Sequence, residues 1–149
     1  MAKSQIQIRH ADGSDAVAVA ALAGELAQSF AFSRAKFDLS FPALLAAADV
    51  CLLAAIDGDD RVGYLLGFRH LTFYANGPVG WVQELLVRSA SQGRGVGRAL
   101  MAAFERWAAD RDCALVALAT RRAAPFYVAL GYQQSAVYLR KVLVAEPAD

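Results

Sequence analysis

The sequence predicts one α+β domain, a mostly antiparallel sheet flanked by helices, with a β-α-β unit in its second half. Three observations carry that expectation. Short apolar stretches separated by turn signals fill the first half. In the second half one long amphipathic stretch, with Val96, Leu100, Phe104 and Trp107 on one face, lies between two apolar runs. At 149 residues there is chain enough for one packed core, and no repeat, linker or composition break divides it.

The elements follow in order. Ile6 and Ile8 alternate with Gln5, Gln7 and Arg9, as in a half-buried strand. Asp12-Gly13-Ser14 is suited to capping a helix, and Val19, Leu22, Ala23, Leu26 and Phe30 then share one helical face. The stretch from Phe30 to Phe41 is aromatic-rich and irregular. Pro42 is placed to open a second helix reaching Ala48, because a first helical position has no use for an N–H. Val50 to Ile56 and Val62 to Tyr74 predict a hairpin around Asp57-Gly58-Asp59-Asp60, and a fourth strand runs from Trp81 to Val87. After the glycine-rich Ser89 to Gly97 and the amphipathic helix, Cys113 to Ala119 reads as a strand buried on both faces. Pro125 to Leu130 fits a short helix stopped by Gly131, Val137 to Leu143 a last strand, and Glu146 to Asp149 a polar tail.

Composition excludes several classes of function. Hydrophobic residues at 57% against 19% charged exclude a disordered chain. Fifteen Lys and Arg against fourteen Asp and Glu leave +1, unlike a strongly basic nucleic-acid binder. Cys51 and Cys113 are too few and too far apart for a disulfide framework or a cysteine zinc site, which points to a reducing compartment. The first residues lack the apolar stretch of a signal peptide, and no run approaches the ~20 residues of a membrane helix. A soluble cytoplasmic domain, with no nucleic-acid or membrane partner, is expected.

The chemistry gathers at Ser91-Gln92-Gly93-Arg94-Gly95-Val96-Gly97-Arg98, between a predicted strand and a predicted helix. Glycines let backbone N–H groups close around an oxyanion, the helix N-terminus adds roughly half a positive charge, and Arg94 and Arg98 are fixed cations. A phosphate-binding P-loop would need Gly-Lys-Ser/Thr, and Gly97-Arg98-Ala99 does not supply it. A dinucleotide fingerprint would need a third glycine where Arg98 stands and an acidic residue where Thr120-Arg121-Arg122 stands. A turn that binds nothing also remains open on this segment alone.

Gln92-x-x-Gly95-x-Gly97 resembles the signature of the GNAT superfamily of N-acetyltransferases. The resemblance extends to Leu85-Leu86-Val87 as the end of the family's fourth strand. It takes in Ala123-x-x-Phe126-Tyr127-x-x-x-Gly131-Tyr132 and the opening Ile8-Arg9-His10-Ala11-Asp12, and so covers the chain from about Ile6 to Leu143. It implies a fold in which the fourth and fifth strands splay apart, and acetyl transfer from acetyl-CoA to an amine. The backbone of Gly93, Arg94, Gly95, Val96, Gly97 and Arg98, with Gln92, would then hold the pyrophosphate. Leu85, Leu86 and Val87 would offer an open strand edge to the pantetheine, with the Val87 N–H polarising the thioester carbonyl. Thr120 stands where the family often has an asparagine touching that arm.

An alkyl ammonium, with a pKa of ~10, needs a base near neutral pH. Glu84 is the one carboxylate in the fourth strand; period-two alternation groups it with Leu86, and Gln83 with Leu85 and Val87, unless a bulge intervenes. Tyr127 matches the family's tyrosine, whose hydroxyl protonates the departing thiolate; core packing beside Phe126 is its other use. The acceptor is a small-molecule or peptide amine. Phe30, Phe32, Phe37, Phe41, Phe73 and Tyr74 fall in segments that line the family's acceptor pocket, although packing accounts for most aromatics. Arg69 and His70 suit an acceptor carboxylate or a solvated strand end, and a lone His justifies no metal. A homodimer paired through the last strands is expected by family analogy. Two other functions stay open: a silent acyl-CoA-binding sensor, and an NADP-dependent oxidoreductase resting on the glycines and Arg121-Arg122.

Overall fold

The computed structural model describes residues 5–27 and 30–144. Five strands form one sheet in the order β1 (Ile6–His10), β2 (Val50–Asp57), β3 (Asp60–Thr72), β4 (Gly77–Val87) and β5 (Val116–Leu118). Neighbours are antiparallel up to β4; β4 and β5 are parallel, as a connection through a helix requires. That helix is α3 (Val96–Asp110), and it covers one face of the sheet. Helices α1 (Ala16–Leu26) and α2 (Arg34–Ala46) cover the other, and the short α4 (Ala124–Ala129) follows β5. The sheet is thus the middle of three layers.

Alternation along the strands divides the core. Leu53, Leu65 and Val82 pack under Leu100, Met101 and Phe104 of α3. Leu52, Tyr64 and Leu66 point the other way, against Val19, Leu22 and Phe41. Phe104 sits flat on the sheet because Gly67 and Gly80 leave room: a Cβ on Gly67 would stand 2.2 Å from its ring and one on Gly80 3.2 Å. The chain start is fastened by Asp15, which is fully buried. Arg9 donates to its two oxygens at 2.7 and 2.9 Å, Arg61 of β3 at 2.9 Å, and the Asp12 N–H at 2.9 Å. Burial alone would favour the neutral acid, but these donors hold the carboxyl well below the usual carboxylate range.

The strand-turn-strand plan and the β4-α3-β5 unit agree with the sequence, and four elements differ in detail. Helix α1 ends at Leu26, so Phe30 lies beyond it and is exposed. Helix α2 begins at Arg34, not Pro42: Ser33 caps it by accepting from the Lys36 N–H at 3.2 Å, and Pro42 lies inside. The stripe Phe37, Phe41, Leu44 and Leu45 packs across that proline and offsets its cost of ~3 kcal/mol. Of Cys113 to Ala119 only Val116–Leu118 is strand, although Ala114 and Leu115 also bond to Pro78 and Gly80 of β4; it is half-buried because it is the sheet's edge. Val137 to Leu143 forms no ladder, and Val137 and Leu139 are 84% and 85% exposed. The polar tail from Glu146 lies outside the described residues.

Candidate active site

The glycine-rich turn leaves β4 through a single 3-10 turn, Ser89–Ser91, and enters α3 at Val96. Gly93 and Gly95 have φ of 79° and 82°, left-handed values that a side chain resists; a Cβ at either would meet nothing within 4 Å, so backbone conformation demands glycine here. The Ala99 N–H, bonded to the Gly95 carbonyl at 3.0 Å, is the first intrahelical donor, which leaves the amides of Val96, Gly97 and Arg98 facing out of the helix end. Gln92 ties the turn to the strand: its side-chain amide donates to the Val87 carbonyl at 3.0 Å.

A cleft of about 550 Å³ lies over this turn. Leu85, Val87, Gln92, Gly93, Tyr127 and the run from Gly95 to Arg98 line it, and no carboxylate does. Ser91, Ala123, Phe126 and Leu130 also line it; these were not singled out from the sequence, though Ala123 and Phe126 belong to the quoted motif. Phe126 packs where a Cβ on Gly97 would come within 3.1 Å of its ring. The amides, helix dipole and guanidinium of Arg98 make this cradle fit a diphosphate such as that of coenzyme A.

β4 opens beside the cleft. It pairs with β5 only at Gly80, Trp81 and Val82, so from Gln83 to Val87 it has β3 on one side and, among the described residues, no strand on the other. The Arg88 N–H donates toward β3, to the Val62 carbonyl at 2.9 Å, and alternation turns the Val87 N–H to the open side. The two strands thus diverge as the resemblance implied.

Glu84 is set by a bulge. The β3–β4 register shifts between Leu66 and Gly67, which pair with Glu84 and Val82 and leave Gln83 as the extra residue. Glu84 and Leu86 turn to the α1–α2 face, where the Tyr64 hydroxyl donates to Glu84 Oε1 at 2.7 Å. Gln83 departs from simple alternation: its side chain accepts from Trp81 Nε1 at 2.9 Å instead of following Leu85 and Val87. Glu84 and Leu86 therefore do not line the glycine cleft; they stand behind it, across β4.

Tyr127 faces that cleft. Its ring is buried edge-on against Phe126 and Tyr132, with centroids 4.9 and 5.9 Å away. Burial pushes its hydroxyl pKa above the ordinary tyrosine value. The hydroxyls of Tyr64 and Tyr132 are spent on Glu84 and Glu105, at 2.7 and 2.6 Å; that of Tyr127 makes no hydrogen bond among the described residues. Its ring is buried, but its hydroxyl oxygen opens to the cleft.

The other expected residues lie apart. Arg94 turns to Asp57, 2.9 Å away, and does not line the cleft. Thr120 lines a different cleft, and its hydroxyl accepts from the Ala123 N–H at 3.0 Å. Arg69 is held by Asp49 and the Arg111 carbonyl. Of the aromatics, Phe41 is buried and Phe37 stacks on it, whereas Phe30, Phe32, Phe73 and Tyr74 are exposed. Both cysteines are free thiols; burial pushes Cys51 up to about 12, so it is inert at neutral pH. Among the described residues no His, Cys, Asp and Glu cluster can hold a metal, and no helix is long and apolar enough to cross a membrane.

Comparison with known proteins agrees with this geometry. The acetyltransferase (GNAT) family model matches residues 19–132. An aminoglycoside N(6')-acetyltransferase type 1 from Stenotrophomonas maltophilia is 36% identical over 105 residues, 63% of this chain and 67% of that protein. The structure of AAC(6')-Iy in complex with a bisubstrate analogue, CoA-S-monomethyl-acetylneamine, superposes with a TM-score of 0.79 at 21% identity, covering 94% of this chain and all of that one. Glucosamine-6-phosphate N-acetyltransferase from Arabidopsis thaliana gives 0.83 at 18% identity, covering 94% and 99%. With a cradle shaped for a diphosphate, a strand edge left open beside it and a family match across most of its length, this chain belongs to the GNAT family of acetyltransferases and uses acetyl-CoA.

Proposed function

We propose that the protein transfers the acetyl group of acetyl-CoA to a primary amine of a small molecule or peptide by direct attack, with Glu84 as general base and Tyr127 as general acid. Acetyl-CoA supplies an acyl group activated as a thioester. The amides from Gly93 to Arg98 hold its diphosphate, and the Val87 N–H on the open edge of β4 meets the carbonyl oxygen as charge develops there. Glu84, directed by Tyr64, takes the proton of the acceptor ammonium through a water. As the amine nitrogen bonds to the carbonyl carbon and the carbon–sulfur bond breaks, Tyr127 gives its proton to the sulfur, and the proton shed by the new amide nitrogen restores the tyrosine hydroxyl through water. Its raised pKa keeps that proton in place at neutral pH.

The observation that carries this reading is the unspent hydroxyl of Tyr127 in the cleft beside the glycine cradle. Calorimetry with coenzyme A and thiol release from acetyl-CoA against an amine panel test it together. Micromolar binding with thiol release for some amines is expected. Binding without turnover for any amine would instead support the sensor. A cytoplasmic location and a homodimer belong to the same proposal; pairing of two copies through the last segment would cover Val137, Leu139 and Leu143, and light scattering measures it.

A further inference from the structure

A second cleft, of about 480 Å³, opens farther along β4. The first cleft takes Leu85 and Val87 from that strand, and the second takes Trp81, Val82 and Gln83; Glu84 falls between them along β4, and its side chain, bonded to Tyr64, lines neither. The second cleft is thus displaced along β4 from the glycine cradle, on the Trp81 side of Glu84.

The chemistry of the second cleft is specific. Trp81 and Tyr138 give it aromatic surface, Gln83 and Thr120 give it amide and hydroxyl groups, and Arg121 and Arg140 give it two positive charges. Among the described residues no Asp or Glu lines it. The arginines come from separate parts of the chain, the loop after β5 and the segment that follows α4. Six other arginines, Arg9, Arg34, Arg61, Arg69, Arg88 and Arg94, are each paired with an aspartate. Arg121 and Arg140 have no hydrogen-bond or ion-pair partner among the described residues.

We infer that this cleft receives the acceptor, and that the acceptor carries an anionic group, a carboxylate or a phosphate, on an apolar or aromatic frame that also bears its amine. The inference rests on Glu84 as the base. Two unpaired guanidiniums attract an anion by charge-assisted, planar hydrogen bonds, and they repel a polycation such as an aminoglycoside. The ammonium is then left to Glu84, which falls between the two clefts along β4.

A matched series tests it: 4-(aminomethyl)benzoate, the corresponding benzamide, and 4-(aminomethyl)benzylamine, which differ only in the charge opposite the amine. The acid should exceed the amide in kcat/KM by on the order of 10-fold, with the diamine last, and its advantage should shrink as salt rises. Calorimetry without acetyl-CoA should give the same order, so failure of the catalytic reading (binding order kept, no turnover) is distinguishable from failure of this one. In Arg121→Gln/Arg140→Gln the ratio of acid to amide should fall to about one. The aryl phosphonate of the same frame tells a phosphorylated acceptor from a carboxylated one by whichever binds tighter. Equal binding of acid and amide, preference for the diamine or an aminoglycoside, or loss of coenzyme A affinity in the double variant would each overturn the inference.

Discussion

The hydroxyl of Tyr64 on β3 donates to Oε1 of Glu84 on β4 across 2.7 Å. Tyr64 pairs with Leu86 and Glu84 with Leu66, so the two side chains are diagonal neighbours on one face of the sheet. Tyr64 is 1% exposed, and burial raises its pKa far beyond the tyrosine range, so it is always a donor. One carboxylate oxygen is fixed by the fold, and its direction sets that of the other.

If Tyr64 acts through Glu84, Tyr64→Phe should lower kcat about 10-fold with the KM for acetyl-CoA unchanged. In a Glu84→Gln background the same change should cost nothing more, because the interaction is already gone. Steady-state kinetics on the four proteins measure this; equal losses in both backgrounds would make Tyr64 a packing residue only.

Tyr127→Phe should reduce turnover about 100-fold and leave coenzyme A affinity by calorimetry nearly intact. Since burial raises the hydroxyl pKa above its ordinary ~10, loss of this proton should not depress kcat until the pH passes that value. Full activity in the variant would remove Tyr127 from the mechanism.

Gly95→Ala should cost ~1–2 kcal/mol of stability, from the left-handed backbone alone, and weaken coenzyme A binding as the cradle amides shift. Gly58→Ala, at φ 63° in the remote β2–β3 turn, serves as the control: the same strain in thermal melting, with binding unaltered.

Asp15→Asn should destabilise the fold by about 2–3 kcal/mol at pH 7, by removing the charge that Arg9 and Arg61 share. The folded-state pKa of Asp15 is depressed, so its contribution is present above the unfolded value of ~3.9 and lost as pH falls below it. Urea titrations at pH 7 and pH 3 should show the gap between the two proteins narrowing in acid.

Much of this arrangement was legible in the chain because the informative residues act locally. Gly93 and Gly95 need only their own dihedrals, and Asp57-Gly58 closes its hairpin alone. The face of Glu84 followed from period two, but Gln83 did not, because the bulge depends on how β3 and β4 pair. Pro42 misplaced a helix start because packing of Phe37, Phe41 and Leu45 outweighed a local preference. Tyr64 gave no signal: a tyrosine in an apolar strand becomes a carboxylate's partner only through a residue 20 positions away. Val137 to Leu143 carried a strand pattern without a neighbour to complete it.

Among the described residues β4 is paired on one side only beyond Val82, which makes this flank the part of the sheet a bound donor would stabilise. A strand with one flank bare exchanges its amides readily and is a point of entry for proteases; an acyl donor lying along it, as proposed, would complete the hydrogen bonding. At a donor level 100-fold above the dissociation constant, mass action adds about 2.7 kcal/mol to the folded state. Thermal melting with and without coenzyme A reads that increment directly.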